Sequence, residues 1–255
     1  MIKTELAGVR FFHDLTGSKE RLPVNSRLDL QKVNFGGVDR SWTNEEVKDA
    51  LNLANSMGRI DSEMAIKIAY SFGCRIEEVM TLTNAQIKQG IKYKQLDLIN
   101  TKGKRPRGID VNPTSKSYNM QLRALQFALE HAKSNDKIFC VKGEQMHKAI
   151  KSVQNLIYNN RDKFEHEGRI NRNNARRIVR QARDNKTDIE APRTHITAHG
   201  LRHSYAHNLY TEFLQQKAER DRERDIREIE KEARLDVSAL LGHGRENVTR
   251  IYTPK

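Results

Sequence analysis

Apolar residues recur at helical spacing along most of the chain. Ile2, Leu6, Val9 and Phe12 share one helix face, and Gly17 is placed to end that helix. Residues 18–40 carry Gly, Pro, Asn and Ser with neither helical nor strand period, which predicts a linker. Thr43-Asn44-Glu45-Glu46 has the form of a capping box, in which a hydroxyl and a carboxylate satisfy each other's backbone N–H groups. A helix therefore starts there, with Val47, Leu51 and Ala54 on one face. A second helix is expected from a cap at Asp61 or Ser62, with Met64, Ile68 and Tyr70 pointing inward. From Gln95 to Asn112 the period changes: Leu96 and Leu98 alternate, then Ile109 and Val111, around a polar tip at residues 101–108. That is a hairpin. Amphipathic helices follow over residues 114–133 (Leu122, Leu125, Leu129) and 145–158 (Met146, Ile150, Val153, Ile157).

These elements predict an α+β fold, mostly helical, with a small antiparallel sheet. The division expected is a helix at 1–17, a linker at 18–40 and one main domain at 41–255. At 255 residues the chain can bury a sizeable core. Composition then narrows the partner. Lys and Arg number 46 against 33 Asp and Glu, a net charge of +13, and such an excess suits a polyanion such as nucleic acid. No lipidation motif, bilayer-length apolar run or signal-peptide pattern argues for a membrane or for export. The two cysteines, Cys74 and Cys140, show no paired spacing, so a disulfide framework and a Cys-based zinc site are not expected and a reducing cytoplasm fits.

Charge is concentrated in two places. The hairpin tip holds Lys102, Lys104, Arg105 and Arg107. Between Arg169 and Lys186 lie Arg169, Arg172, Arg176, Arg177, Arg180, Arg183 and Lys186, opposed only by Asp184. Ala175, Val179 and Ala182 supply a thin docking stripe beneath them. Phosphate neutralisation dominates nucleic-acid affinity, so this second stretch is the expected DNA-contacting element, with Arg176 and Arg180 on its outer face.

The chemistry lies toward the end of the chain. His199-Gly200-Leu201-Arg202 and Leu241-Gly242-His243, with Tyr252 nine positions on, bring together an arginine, two imidazoles and a phenol. A phenol is a weak nucleophile at neutral pH, since its ordinary pKa is about 10. It becomes useful where cations stabilise negative charge on the group it attacks. Arginine offers a planar fork that fits two phosphate oxygens, and histidine can donate to a third oxygen or move a proton. These residue types point to a tyrosine aimed at a phosphodiester.

His199-Gly200-Leu201-Arg202-His203-Ser204-Tyr205-Ala206 resembles the H-x-L-R-H-[ST]-x-A signature of the tyrosine recombinases, the phage-integrase family. Leu241-Gly242-His243 through Thr249-Arg250-Ile251-Tyr252 is similar to that family's L-G-H…T-x-x-Y ending, in the same order and at its usual spacing. Gly73-Cys74-Arg75-Ile76-Glu77-Glu78 resembles its G-x-R-x-x-E segment. The resemblance implies the family's catalytic fold over residues 41–255. It also implies two successive transesterifications on double-stranded DNA, with no ATP, metal or other cofactor.

In that scheme Tyr252 attacks the scissile phosphate to form a 3′-phosphotyrosyl link. Arg75, Arg202 and His243 stabilise the transition-state charge, and His199 assists proton transfer or donates to phosphate. Glu78, one turn from Arg75, orients its guanidinium. A hairpin lysine protonates the leaving 5′ oxygen; Lys102 matches by position, with Lys104 second. The remaining tip cations, Arg105 and Arg107 among them, would grip phosphate backbone. The resemblance further implies assembly into a tetrameric synapse by the full-length protein. Residues 1–17 read either as the last helix of an upstream DNA clamp or as a helix docked on the main domain. If clamp and tail are reduced, the chain is expected to be monomeric alone and to bind DNA weakly.

Two alternatives stand beside this reading: a type IB topoisomerase, with the same nucleophile but rejoining the original strand, and a non-catalytic DNA-binding protein that retains the fold. His195, His199, His203 and His207 recur every four residues and raise a metal-binding face as an alternative. The helix start expected near residues 197–199 puts His195 outside such a face. The interval between Arg202 and His243 is longer than the family's, and the excess maps to residues 215–234. Its Glu223/Arg227, Arg224/Glu228 and Glu230/Arg234 pairs predict a protruding solvated helix.

Overall fold

Thr43 caps α2 (Asn44–Ser56) as its spacing predicts: its side chain accepts from the Glu46 N–H, and a Glu46 carboxylate oxygen accepts from the Thr43 N–H at 2.7 Å. A computed structural model of the chain describes residues 2–17, 22, 37–99, 106–111, 113, 115–133, 136–139, 145–221, 224–242 and 249–253. Two compact units are present, Met1–Asn34 and Phe35–Lys255. In the first, α1 (Ile2–Leu15) carries Val9, Phe11, Phe12 and Leu15, all exposed.

The second unit is built around α3 (Ile60–Phe72). Met64, Ala65, Ile66, Ile68, Ala69 and Phe72 are all buried, so this helix is apolar nearly all round, as a central helix must be. It packs against α2, the short α4 (Ile76–Met80), α6 (Tyr118–Glu130), α7 (Met146–Asn160) and α9 (Ala198–Arg220). The helix starts at Ile60, one residue before the expected cap. The chain turns sharply out of α2 through Gly58, and the Arg59 N–H donates back to the Ala54 carbonyl. The Arg59 guanidinium then ties Asp61, Ser62 and Ser152. Likewise α6 starts at Tyr118, because Ser115 and Ser117 are bonded to each other in the preceding turn.

After α5 (Asn84–Tyr93), β1 (Gln95–Leu98) and β2 (Arg107–Asp110) form an antiparallel pair in which Leu96 faces Ile109. Leu96, Leu98 and Ile109 are buried and their neighbours face outward, so the alternation sets the register. The tip residues Lys102, Lys104 and Arg105 lie outside the described residues.

Beyond a single 3₁₀ turn at Arg161–Lys163 comes α8 (Arg172–Asp184), docked by buried Ala175 and half-buried Val179 with Arg176, Arg177, Arg180 and Arg183 exposed. Arg169, counted above among these cations, is different. It forms a two-pronged ion pair with buried Glu46, at 2.6 and 2.5 Å, and donates to the carbonyls of Thr194 and Ser41. Both side chains of that pair are fully buried, so Arg169 ties α2 to the segment before α9 rather than facing a polyanion.

The charged insertion is also not one protruding helix. It is the end of α9 and the start of α10 (Ile226–Leu240), folded against each other. Lys217 reaches Asp236 at 2.9 Å and Glu232 at 3.5 Å, Arg224 pairs with Glu228 and Glu232, and Ile229 and Ala233 are buried while Ile226 is exposed. Among the described residues no helix is long and apolar enough to cross a membrane.

Candidate active site

The site begins where α3 ends. Gly73 sits in the left-handed region at φ 60°, and a side chain there would overlap the Tyr205 ring, so only glycine lets the chain turn so close to α9. Arg75 follows as the N-cap of α4, with Glu78 in the first turn. Glu78 is a hub. One carboxylate oxygen accepts from the Arg75 guanidinium at 2.7 Å, and the other accepts from the Arg75 N–H at 2.9 Å and from Arg107 at 2.8 Å. Arg202 lies 4.0 Å away on the same side. Burial alone would push the Glu78 carboxyl up, but Arg107, the Arg75 N–H, Arg202 and the Arg75 side chain outweigh it and hold the group below the usual carboxylate range.

Arg107 therefore belongs inside the protein. Its side chain is 8% exposed, and it also donates to the Leu240 carbonyl at 3.3 Å. The hairpin tip begins beyond it, and the expected phosphate grip gives way to a strut between β2, α4 and the end of α10. Arg202 is fully buried and donates to the carbonyls of Gly73 and Leu241, at 2.5 and 2.7 Å. Burial, then Arg107 and Arg75, lower its pKa to about 10, while Tyr252 and Glu78 oppose that shift. It stays a cation at neutral pH.

α9 starts at Ala198 because Gly200 lets it press on the preceding segment. A side chain there would meet the Arg40 carbonyl and the Trp42 ring. Trp42 donates from its indole to the Thr197 carbonyl at 3.0 Å and from its backbone N–H to Ser204 Oγ at 2.7 Å. The first turns of α9 thus present His199, Arg202 and His203 together. His195 lies before the helix and bonds Glu165 at 2.5 Å, so the four-residue histidine repeat does not form one face.

Tyr252 closes the site. Its ring lies 4.4 Å from the His203 ring and 6.2 Å from the His199 ring, centroid to centroid, and the Arg202 guanidinium sits 5.8 Å from its centre. The tyrosine is buried, 6% exposed. Burial and the positive field of Arg40, Arg202, Arg75 and Arg172 push the His199 imidazole down to about 4. The same causes, with His199 in place of Arg75, hold His203 well below its ordinary value. Both are neutral at pH 7. Tyr205, a second tyrosine, on α9, is buried against Gly73, and burial makes its phenol less acidic still.

The model of the phage integrase family matches residues 40–218. The chain belongs to the phage integrase family. That family is one of tyrosine recombinases, and membership carries DNA binding with it. The matched span holds Arg75, Glu78, Lys102, His199 and Arg202, and ends before His243 and Tyr252. Comparison with curated proteins and with solved structures finds no match to the chain.

Of the residues singled out in the sequence, the structure brings together Arg75, Glu78, His199, Arg202 and Tyr252. Arg176 and Arg180 lie on the exposed face of α8, and His243, like Lys102, lies outside the described residues. Two neighbours were not anticipated. His203 lies in the matched signature, but nothing in its spacing says that it meets Tyr252. Arg40 falls at the end of the expected linker. It is half-buried, and burial, then Arg172 and Arg176 against an opposing pull from Tyr252, lower its pKa to about 10. What holds it there is Trp42, two residues on, whose bonds to Thr197 and Ser204 pin that stretch of chain beside α9.

Proposed function

We propose that this chain cuts and rejoins DNA strands through a 3′-phosphotyrosyl intermediate on Tyr252. The observation that carries the reading is the Tyr252 ring set 5.8 Å from the Arg202 guanidinium and against the two neutral imidazoles of α9. In this reading the Tyr252 oxygen attacks the scissile phosphorus and the bond to the 5′ oxygen breaks. The phenol proton leaves through His199, which is neutral at pH 7 and can accept it. Arg75 and Arg202 stabilise the charge that grows on the phosphoryl oxygens, with His243 alongside, and Glu78 keeps the Arg75 guanidinium oriented. Lys102, or Lys104 after it, returns a proton to the leaving oxygen. A second strand's 5′ hydroxyl then reverses the sequence, and the energy of the broken bond is kept in the covalent link.

The wider setting follows the family: a tetrameric synapse on double-stranded DNA, and integration or excision of a mobile element in the cytoplasm. The exposed face of α8 and the basic hairpin tip supply the phosphate contacts.

A nicked suicide duplex tests this. The wild-type chain should form an adduct that survives denaturant, and Tyr252→Phe should not, while still binding DNA. An adduct that persists in the Phe variant moves the nucleophile elsewhere. Transfer to a second supplied strand supports recombination, whereas rejoining confined to the original strand makes the protein a topoisomerase.

A further inference from the structure

His203 projects one turn after His199 on α9 and is 1% exposed. Among the described residues neither of its ring nitrogens has a hydrogen-bond partner. That is an expensive way to fill space. A neutral imidazole carries one donor and one acceptor, and burying both without partners costs more than burying an apolar ring of the same size. A Phe or Leu would pack here without that cost. The nitrogens therefore call for a partner that arrives with another state of the site.

Among the described residues two rings touch this imidazole. Tyr252 lies against it at 4.4 Å with the planes 43° apart, and His199 meets it edge-on at 5.3 Å and 77°. The groups that face it are cations, namely Arg40, Arg202 and Arg172, so it does not become a third positive charge for the phosphate. What remains, among the described residues, for it to act on is the tyrosine.

We propose that His203 is the positioning residue for Tyr252, packing against the phenol ring and donating a hydrogen bond from its ring N–H to a lone pair of the phenol oxygen when DNA draws that oxygen into line. This role rests on Tyr252 being the nucleophile. The bond holds the hydroxyl; it does not remove the proton, which leaves through His199 as above. Losing it costs orientation of the attacking oxygen, so the effect falls on the rate of adduct formation and not on DNA affinity.

The test uses the full chain and a pool of random-sequence duplexes, each nicked near its centre so that a cleaved strand is released. Equilibrium binding and the rate of denaturant-resistant adduct at saturating DNA are measured for wild type, Tyr252→Phe, His203→Phe and His203→Gln. His203→Phe keeps the flat ring and removes both nitrogens. It should bind within about twofold of wild type and form adduct about tenfold more slowly, the effect of one lost hydrogen bond in the transition state. His203→Gln restores a donor and an acceptor and should recover part of that rate. A His203→Phe rate equal to wild type overturns the proposal. So does equal loss of binding and rate, which marks a purely structural residue. If the Phe variant fails to fold, Gln decides: a rate near wild type supports the role, and an unrescued rate with intact binding overturns it. A wild-type chain that yields no adduct, or an adduct that survives Tyr252→Phe, sinks the nucleophile and this role together. A normal wild-type adduct with an indifferent His203→Phe sinks the role alone.

Discussion

Glu78 and Arg107 form an ion pair 2.8 Å long whose side chains are 2% and 8% exposed, joining α4 to the second strand of the hairpin. Arg75 and Arg202 gather on the same carboxylate. The pair sets the geometry of the site, because it fixes where the hairpin lies relative to both arginines. Replacing Glu78 with Ala leaves three guanidinium groups facing one another with no anion among them. Breaking a buried pair by removing one partner costs about 3–5 kcal/mol. Glu78→Ala should fall in that range by urea unfolding, and Arg107→Ala near its lower end, because Glu78 keeps Arg75. A loss under about 1 kcal/mol for either would mean that the carboxylate is not the organising group.

Stability should fall with acid before the carboxylates begin to protonate. His199 is pushed down to about 4 and His203 well below 6.5, so the unfolded chain binds protons that the folded chain refuses. Their contribution is complete above about pH 6.5 and is lost as pH falls toward 4, by up to about 1.4 kcal/mol per pH unit for each histidine. Glu46 and Glu78 are both held below the usual range, so they do not mask the effect between pH 6.5 and 5. Unfolding curves at pH 7, 6 and 5 should show the slope, and His203→Phe should remove part of it. A flat profile would place these imidazoles in contact with water.

Arg40 is expected to act on the site through its charge. It is the first cation, after burial itself, among the causes that depress His199. Arg40→Ala should therefore raise the His199 pKa from about 4 toward its ordinary value, visible in an NMR titration of the ring carbon. It should also slow adduct formation more than it weakens DNA binding. An unmoved His199 would mean that the Arg40 guanidinium points away from α9.

The exposed face of α8 makes a separate prediction. Arg176 and Arg180 lie one turn apart and are both exposed. Replacing both with Ala should weaken binding to unrelated duplex sequences alike. It should also reduce the slope of log affinity against log salt by about 0.9 for each phosphate left without its arginine. A change confined to one DNA sequence would turn this face from a backbone grip into a base reader, and an unchanged slope would remove it from the interface.

The linear sequence carried whatever depends on near neighbours. The capping box at Thr43 and Glu46, the alternation that registers Leu96 against Ile109, and the Arg75–Glu78 turn are all set by residues a few positions apart. Helix caps and strand periods are local physics. The order of the signature residues also pointed to the family before any fold was known. What sequence could not decide was the destination of each cation. Arg107 and Arg169 read as exposed basic residues, yet one is drawn inside by Glu78 and the other by Glu46. A charge is buried only where distant backbone segments bring it a carboxylate and carbonyls to bond. The same holds for the meeting of His203 with Tyr252 and for the field of Arg40 on His199. Those meetings exist because Gly73 and Gly200 let three separate stretches of chain approach more closely than any side chain would allow, a property of the packed structure and of no single stretch within it.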